Sequence, residues 1–268
     1  MDLPQELIDK ITCNLASDIP SLHSCSLVAK SWIYPSRRWL FKDVLISGNI
    51  RQRRWLDRIS PTNIDLLRNI RSFTHKPTID VTAEDWSVIP PYRIDYFRLY
   101  LPSLCQLERL GFFFTFVGPD IPQNIGLFST FQHTLSSLCL SDCHATSSAL
   151  VTLVDYFPLL ANLELRSLKC VAGGGPVPRR SRPLRGRLVI ADCMVKDRAL
   201  FNQLSNPPPE LDELSLCKVK LPTFYNIILG THGGSTKRLK MTDDPRWQLR
   251  TSRNRQVFPM LTRNINPR

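Results

Sequence analysis

The groups in this chain that could do chemistry are thiols, imidazoles and guanidinium ions. The 268 residues include eight cysteines (Cys13, Cys25, Cys105, Cys139, Cys143, Cys170, Cys193 and Cys217) and five histidines. Thiolates bind metals and attack electrophiles, so the run Cys139-x-x-x-Cys143-His144 is the first place to look for a metal centre. A structural zinc site takes four ligands that arrive as two spaced pairs. No second pair follows at such a spacing, and the chain contains no Cys-x-x-Cys. His232 stands in Thr231-His232-Gly233-Gly234, which reads as a glycine turn. A Walker loop, a Gly-x-Ser-x-Gly elbow and a paired-carboxylate motif are all missing. The expectation is a non-enzymatic protein with no cofactor and no metal site.

The guanidinium groups raise a different question, because the net charge is +12 and the isoelectric point about 9.6. An excess of that size fits an anionic partner: nucleic acid, a membrane surface or an acidic protein. The arginines are clustered. Arg179, Arg180, Arg182, Arg185 and Arg187 form one group, and Arg246, Arg250, Arg253, Arg255, Arg263 and Arg268 follow the last acid, Asp244. Binding of single-stranded nucleic acid needs aromatic rings interleaved with the charge; only Trp247 and Phe258 in the tail approach that. Both groups therefore read as solvated loop and tail charge, and nucleic acid is not expected as the main partner. With 43% hydrophobic and 22% charged residues, the composition is that of a globular protein with a real core. No stretch approaches the ~18 uninterrupted apolar residues of a membrane span, so no membrane partner is expected. Met1-Asp2-Leu3-Pro4 opens without a basic leader or an apolar signal core. An intracellular protein, in cytoplasm and/or nucleus, with reduced thiols is expected.

The elements that would position these groups show as an internal repeat. Leu-x-x-Leu-x-Leu recurs at Leu107-x-x-Leu110-x-Phe112, Leu135-x-x-Leu138-x-Leu140, Leu160-x-x-Leu163-x-Leu165 and Leu211-x-x-Leu214-x-Leu216. Leu188-x-Ile190 and Leu239-x-Met241 are looser copies, and Leu67-x-x-Ile70-x-x-Phe73 reads as a degenerate first one. The middle leucines, 110, 138, 163, 188, 214 and 239, stand 28, 25, 25, 26 and 25 residues apart. Cys143 and Cys193 each lie five residues beyond a middle leucine, where Leu168 and Val219 stand in two other copies. Each copy predicts a strand followed by a helical segment. Ser147 to Phe157 is one such helix, with Leu150, Leu153, Val154 and Phe157 on one face. Asp197 to Leu204 and Pro222 to Leu229 are similar. Gly173-Gly174-Gly175-Pro176 to Pro183 reads as a flexible basic insertion, and Pro207-Pro208-Pro209 as a loop.

Ahead of the repeats, Leu7, Ile8, Ile11 and Leu15 put one apolar stripe on a helix that opens at Pro4 and stops near Ser17-Asp18. A second helix is expected after Pro20 with Ser21 as its N-cap, carrying Leu22, Cys25, Leu27 and Val28. A third starts near Ser31, carries Trp32 and Ile33, and is kinked or ended by Pro35. Val44-Leu45-Ile46 reads as a strand. Three short helices in about 40 residues cannot bury much surface alone, so something else should cover part of their apolar residues.

The recurring unit is similar to leucine-rich repeats, in which strand and helix stack into a curved solenoid. Its exposed strand face is a natural binding surface. Leu3-Pro4-x-Glu6-Leu7-Ile8-x-x-Ile11-x-x-x-Leu15, Leu22-x-x-Cys25-Ser26-Leu27-Val28-x-Lys30-x-Trp32 and Leu40-Phe41 together resemble an F-box, in the version common in mushroom-type fungi. The resemblance implies a small helical bundle that docks on the Skp adaptor of a cullin–RING ubiquitin ligase. On the matching positions, Leu3 and Pro4 would pack on the adaptor from the opening loop. Leu7, Ile8 and Ile11 would come from the first helix, with Leu15 closing that run. Val28, Lys30 and Trp32 would complete the interface. The implied fold class is α/β: an F-box bundle at 1–46, a linker with degenerate repeats at 47–105, a leucine-rich-repeat solenoid at 106–245 and a basic tail at 246–268. The implied function is that of an SCF substrate receptor whose repeats hold a protein substrate. A repeat scaffold or nucleic-acid-associated protein outside the ligase is the alternative.

Overall fold

The computed structural model describes residues 3–47, 64–76, 92–93, 101–113, 115–117, 121–171, 177–195, 198–204, 206, 210–218 and 236–242. It is a mixed α/β structure built on a parallel sheet. Three helices come first: α1 (Gln5–Asn14), α2 (Ile19–Val28) and α3 (Lys30–Leu40), with α3 packed against both others. An eight-stranded sheet follows. Its strands are β1 (Asp43–Ser47), β2 (Ser72–Lys76), β4 (Arg109–Phe113), β6 (Ser137–Ser141), β8 (Asn162–Arg166), β10 (Arg185–Ala191), β12 (Glu210–Cys217) and β13 (Arg238–Thr242). A second sheet of five short strands contains β3 (Tyr92–Arg93), β5 (Thr115–Val117), β7 (His144–Thr146), β9 (Lys169–Val171) and β11 (Met194–Val195). Every pairing in both sheets is parallel, and neighbours follow chain order.

The register follows the leucine spacing. Leu110, Leu138, Leu163, Leu188, Leu214 and Leu239 stand opposite one another in a continuous row. Phe73 and Val44 extend that row across β2 and β1. Alternation along each strand puts Phe112, Leu140, Leu165, Ile190 and Leu216 in a second buried row. β1 is the first strand of this sheet, so residues 43–47 go with the strands rather than with the helices, and the sheet begins well before residue 106.

Between the sheets the chain turns a corner that is repeated. Asp142, Ser167, Asp192 and Lys218 all have left-handed backbone, with φ of 52°, 46°, 51° and 50°. Each directly follows the last residue of a strand, and the amides of Asp142, Ser167 and Asp192 donate to the carbonyls of Arg166, Ala191 and Cys217 in the next strand (2.8–2.9 Å). The corner turns the next residue inward, and Cys143, Leu168 and Cys193 are all buried. Val219, the fourth occupant, lies outside the described residues.

The returning segments differ from copy to copy. α4 (Ile64–Arg68) precedes β2, and a 3-10 turn (Leu101–Ser103) precedes β4. Between β5 and β6 the chain forms only the four-residue α5 (Ile121–Asn124) and a 3-10 stretch (Ile125–Phe131). Phe128 and Phe131 from that stretch pack on Phe157 at ring distances of 5.9 and 6.0 Å and on each other at 5.8 Å. α6 (Ser147–Tyr156) is capped by the Thr146 hydroxyl, which accepts from the Ala149 amide, and ends one residue before its expected limit. α7 (Arg198–Leu204) matches the expected segment from 197. The segments 173–176, 207–209, 222–229, the turn at His232 and the basic tail all lie outside the described residues.

The N-terminal helices correct three expectations. α1 ends at Asn14, short of Ser17. α2 is capped by Asp18, not Ser21: the Asp18 carboxylate accepts from the Ser21 amide and hydroxyl (3.2 and 2.6 Å), which admits Ile19 and Pro20 to the first turn. α3 continues past Pro35 to Leu40, and Pro35 is buried. The proline removes one hydrogen bond but does not end the helix.

Candidate docking surface

The expected site residues are sorted by helical geometry. Leu7 and Ile11 are one turn and four residues apart on α1, so they share a face, and Leu3 stands four residues before Leu7. Leu3, Leu7 and Ile11 are 48%, 47% and 37% exposed. Ile8 and Thr12 make the adjacent stripe, and both are buried. The Thr12 hydroxyl donates to the Ile8 and Asp9 carbonyls (3.0 and 3.1 Å), so that stripe carries no unsatisfied polar group into the bundle. Ile8 packs beneath that surface, on the bundle side of α1. Pro4, Val28 and Lys30 are exposed, while Leu15 and Trp32 are half-buried.

Local sequence explains the arrangement. Pro4 precedes the first turn, and its carbonyl accepts from the Leu7 and Ile8 amides (3.1 and 3.2 Å). The Gln5 side chain donates to Asp9 at 2.9 Å along the solvent side of α1. The Ser21 hydroxyl and amide hold the Asp18 carboxyl below its ordinary range, which keeps the charge at the positive end of α2. Ala29 is fully extended (φ −158°, ψ 163°) and separates α2 from α3 with no intervening loop. Among the described residues, nine large apolar side chains are exposed. Seven of them fall between Leu3 and Tyr34: Leu3, Leu7, Ile11, Ile19, Leu27, Val28 and Tyr34. Beside the buried Pro35, Leu22 and Ile8 are the large buried apolar side chains of the three helices, and neither joins the core of the sheet, which runs from Ile46 to Leu216. Sequence periodicity found α1 but did not separate Leu7 from Ile8. It also did not single out Ile19 and Tyr34, which belong to no motif.

The open face of the large sheet is polar and of mixed charge. Arg187 and Lys240 both reach Glu213 (3.3 and 3.0 Å), Arg109 reaches Asp43 (2.7 Å), and Arg166 pairs with Glu164. Cys139 lies on this face opposite Glu164, and burial and that carboxylate push its thiol up to about 12. Cys143 is on the opposite side, its S–H directed to the Phe112 and Ser141 carbonyls (3.3 and 3.2 Å), so the two thiols do not share a centre. The basic run 179–187 is only partly solvated: Arg179, Arg182, Arg185 and Arg187 are exposed, but Arg180 is buried. No helix among the described residues is long and apolar enough to cross a membrane. No family model matches the chain, and no curated protein matches it.

Proposed function

We propose that this chain is the substrate-recognition subunit of an SCF-type ubiquitin ligase. The three N-terminal helices act as an F-box that docks on a Skp-type adaptor, and the strands form a leucine-rich-repeat-like solenoid that holds a protein substrate. The observation that carries the reading is the apolar stripe of Leu3, Leu7 and Ile11, left exposed on a bundle with only two fully buried large apolar side chains. Isolated exposed leucines are ordinary, but a grouped set on one small module marks an interaction site. Full burial of such a side chain from water contributes about 1.5–3 kcal/mol; with 37–48% of each still exposed, docking the three together still supplies a usable driving force. The parallel sheet in chain order, with its leucine row every 25 residues or so, supports the repeat reading. The chain's own contribution would be proximity. Joining substrate and ligase through one molecule raises the effective concentration of the acceptor lysine beside the charged enzyme.

Co-expression with a Skp-type adaptor tests this. The wild-type chain should capture the adaptor, and Leu3→Asp/Leu7→Asp/Ile11→Asp should abolish capture with an unchanged far-UV circular dichroism spectrum, because all three side chains are exposed. Equal capture by the two folded proteins, or no capture by the wild type, would leave a repeat scaffold outside the ligase.

A further inference from the structure

Arg180 is 7% exposed, although it comes from a run that reads as solvated charge. Its Nη1 donates to the Leu204 carbonyl at 3.1 Å, which closes the last turn of α7. Its Nε is buried with no hydrogen-bond partner among the described residues. Burial pushes the guanidinium down to about 10, against the pull of Asp155. An arginine with that value is still charged near neutrality, so a cation is held in place with part of its hydration stripped away.

Arg180 lines a concavity of about 320 Å³ between the end of α6 and the start of β10. Arg182 and Arg185 border it, Leu159 and Pro183 supply apolar wall, and Asp155 is the single acid among the described lining residues. The Asp155 carboxylate is already engaged: it accepts from the Ser181 amide (2.9 Å) and from the Ser181 hydroxyl (2.9 and 3.1 Å). Arg185 shares Glu210 at 3.2 Å, an exposed pair of little energetic weight. Arg182 has no ion-pair partner among the described residues. Among the described residues three guanidinium groups thus meet one lining carboxylate, Asp155, with Glu210 beside Arg185 at the edge.

We propose that this concavity binds a phosphate monoester carried on a side chain of the protein substrate. A phosphorylated side chain brings about −1.5 to −2 charge and three acceptor oxygens, and guanidinium forks match those oxygens in pairs. A carboxylate would offer the same groups less charge and fewer acceptor oxygens. The size suits one side chain, with Leu159 and Pro183 placed to pack its carbon atoms. A nucleic-acid strand fits poorly, since it needs a track of positive charge and exposed rings for stacking. Here Glu164, Glu210, Asp212 and Glu213 interrupt the charge on the neighbouring strands, and Phe157, the aromatic ring in the lining, is buried.

Assigning the phosphate to a substrate rests on the receptor reading, so the test keeps the two separate. The purified full chain would be titrated against a fluorescent peptide library with a fixed phosphoserine and degenerate flanks, and against its unphosphorylated counterpart. Inorganic phosphate and single-stranded DNA would serve as competitors, and adaptor capture would be scored on the same preparations. The phosphorylated library should bind at least about tenfold tighter, from the usual strength of charged hydrogen bonds. Inorganic phosphate should compete. Arg182→Glu, an exposed position, should reduce binding by about tenfold or more with adaptor capture intact. Arg180→Lys should do the same if the protein folds. Equal binding of the two libraries, indifference to Arg182→Glu, or displacement by DNA but not by phosphate would overturn the proposal. Phosphopeptide binding without adaptor capture would support the pocket and remove the ligase.

Discussion

At Cys143 the sulfur lies 3.3 Å from the Phe112 carbonyl, on the preceding strand, and at Cys193 it lies 3.4 Å from the Leu165 carbonyl. These thiols tie one copy of the repeat to the one before it, and burial pushes Cys193 up to about 11. The thiolate is the reactive form. Iodoacetamide should therefore label exposed Cys13 first, while Cys143, Cys170 and Cys193, all buried, should react only after denaturant is added. Peptide mapping by mass spectrometry would show the order, and early labelling of Cys193 would contradict its placement. The same shifts set a pH dependence. The folded values of Cys139 and Cys193, about 12 and 11, are above the unfolded value of 9.0. Their contribution is intact below pH 9 and is lost as the pH rises toward the folded values. The thermal midpoint should fall on passing above pH 9, and Cys139→Ala/Cys193→Ala should flatten that slope. The shared position of Cys143 and Cys193 was legible because a single period placed both. The burial of Arg180 was not, because an arginine among prolines and glycines carries no local mark of the Leu204 carbonyl it caps.

Among the elements, β10 carries the strongest constraint. Its pairing with β12 shifts between Gly186 and Arg187, a bulge in which Gly186 takes φ +72°. A Cβ at this position would lie 2.2 Å from the Ala161 carbonyl oxygen. Gly186→Ala should cost about 2 kcal/mol or more, from left-handed strain together with the clash, read as a lower midpoint in urea. An unchanged midpoint would mean that the strand enters the sheet differently. The large sheet was legible because its leucines repeat every 25 residues or so, and the side-chain period of a strand fixes the register. The second sheet was not, because its strands are two or three residues long and carry no pattern. The left-handed corners that feed it are Asp, Ser, Asp and Lys, with no glycine to announce them. The helices were legible as periodic runs. Of the kink or stop expected at Pro35, the stop did not occur, because a helix can carry a proline at the cost of one hydrogen bond.

For the whole molecule, the division is between a sheet with a continuous core and a helical module that leaves its apolar residues outside. That core joins every strand of the large sheet up to β12 through residues from Ile46 to Leu216. The three helices have Ile8 and Leu22, and a module of about 40 residues with so little burial is marginal alone. Its stability should then be coupled to whatever covers Leu3, Leu7 and Ile11, since a partner that binds only the folded form stabilises it. Hydrogen exchange on the full chain, with and without a purified Skp-type adaptor, measures that coupling directly. Alone, amides of α1, α2 and α3 should exchange well before those of β6, β8 and β10. With the adaptor, protection should rise in residues 5–40 and stay unchanged in the sheet. Unchanged exchange in those helices at saturating adaptor, or protection confined to the strands, would contradict the account.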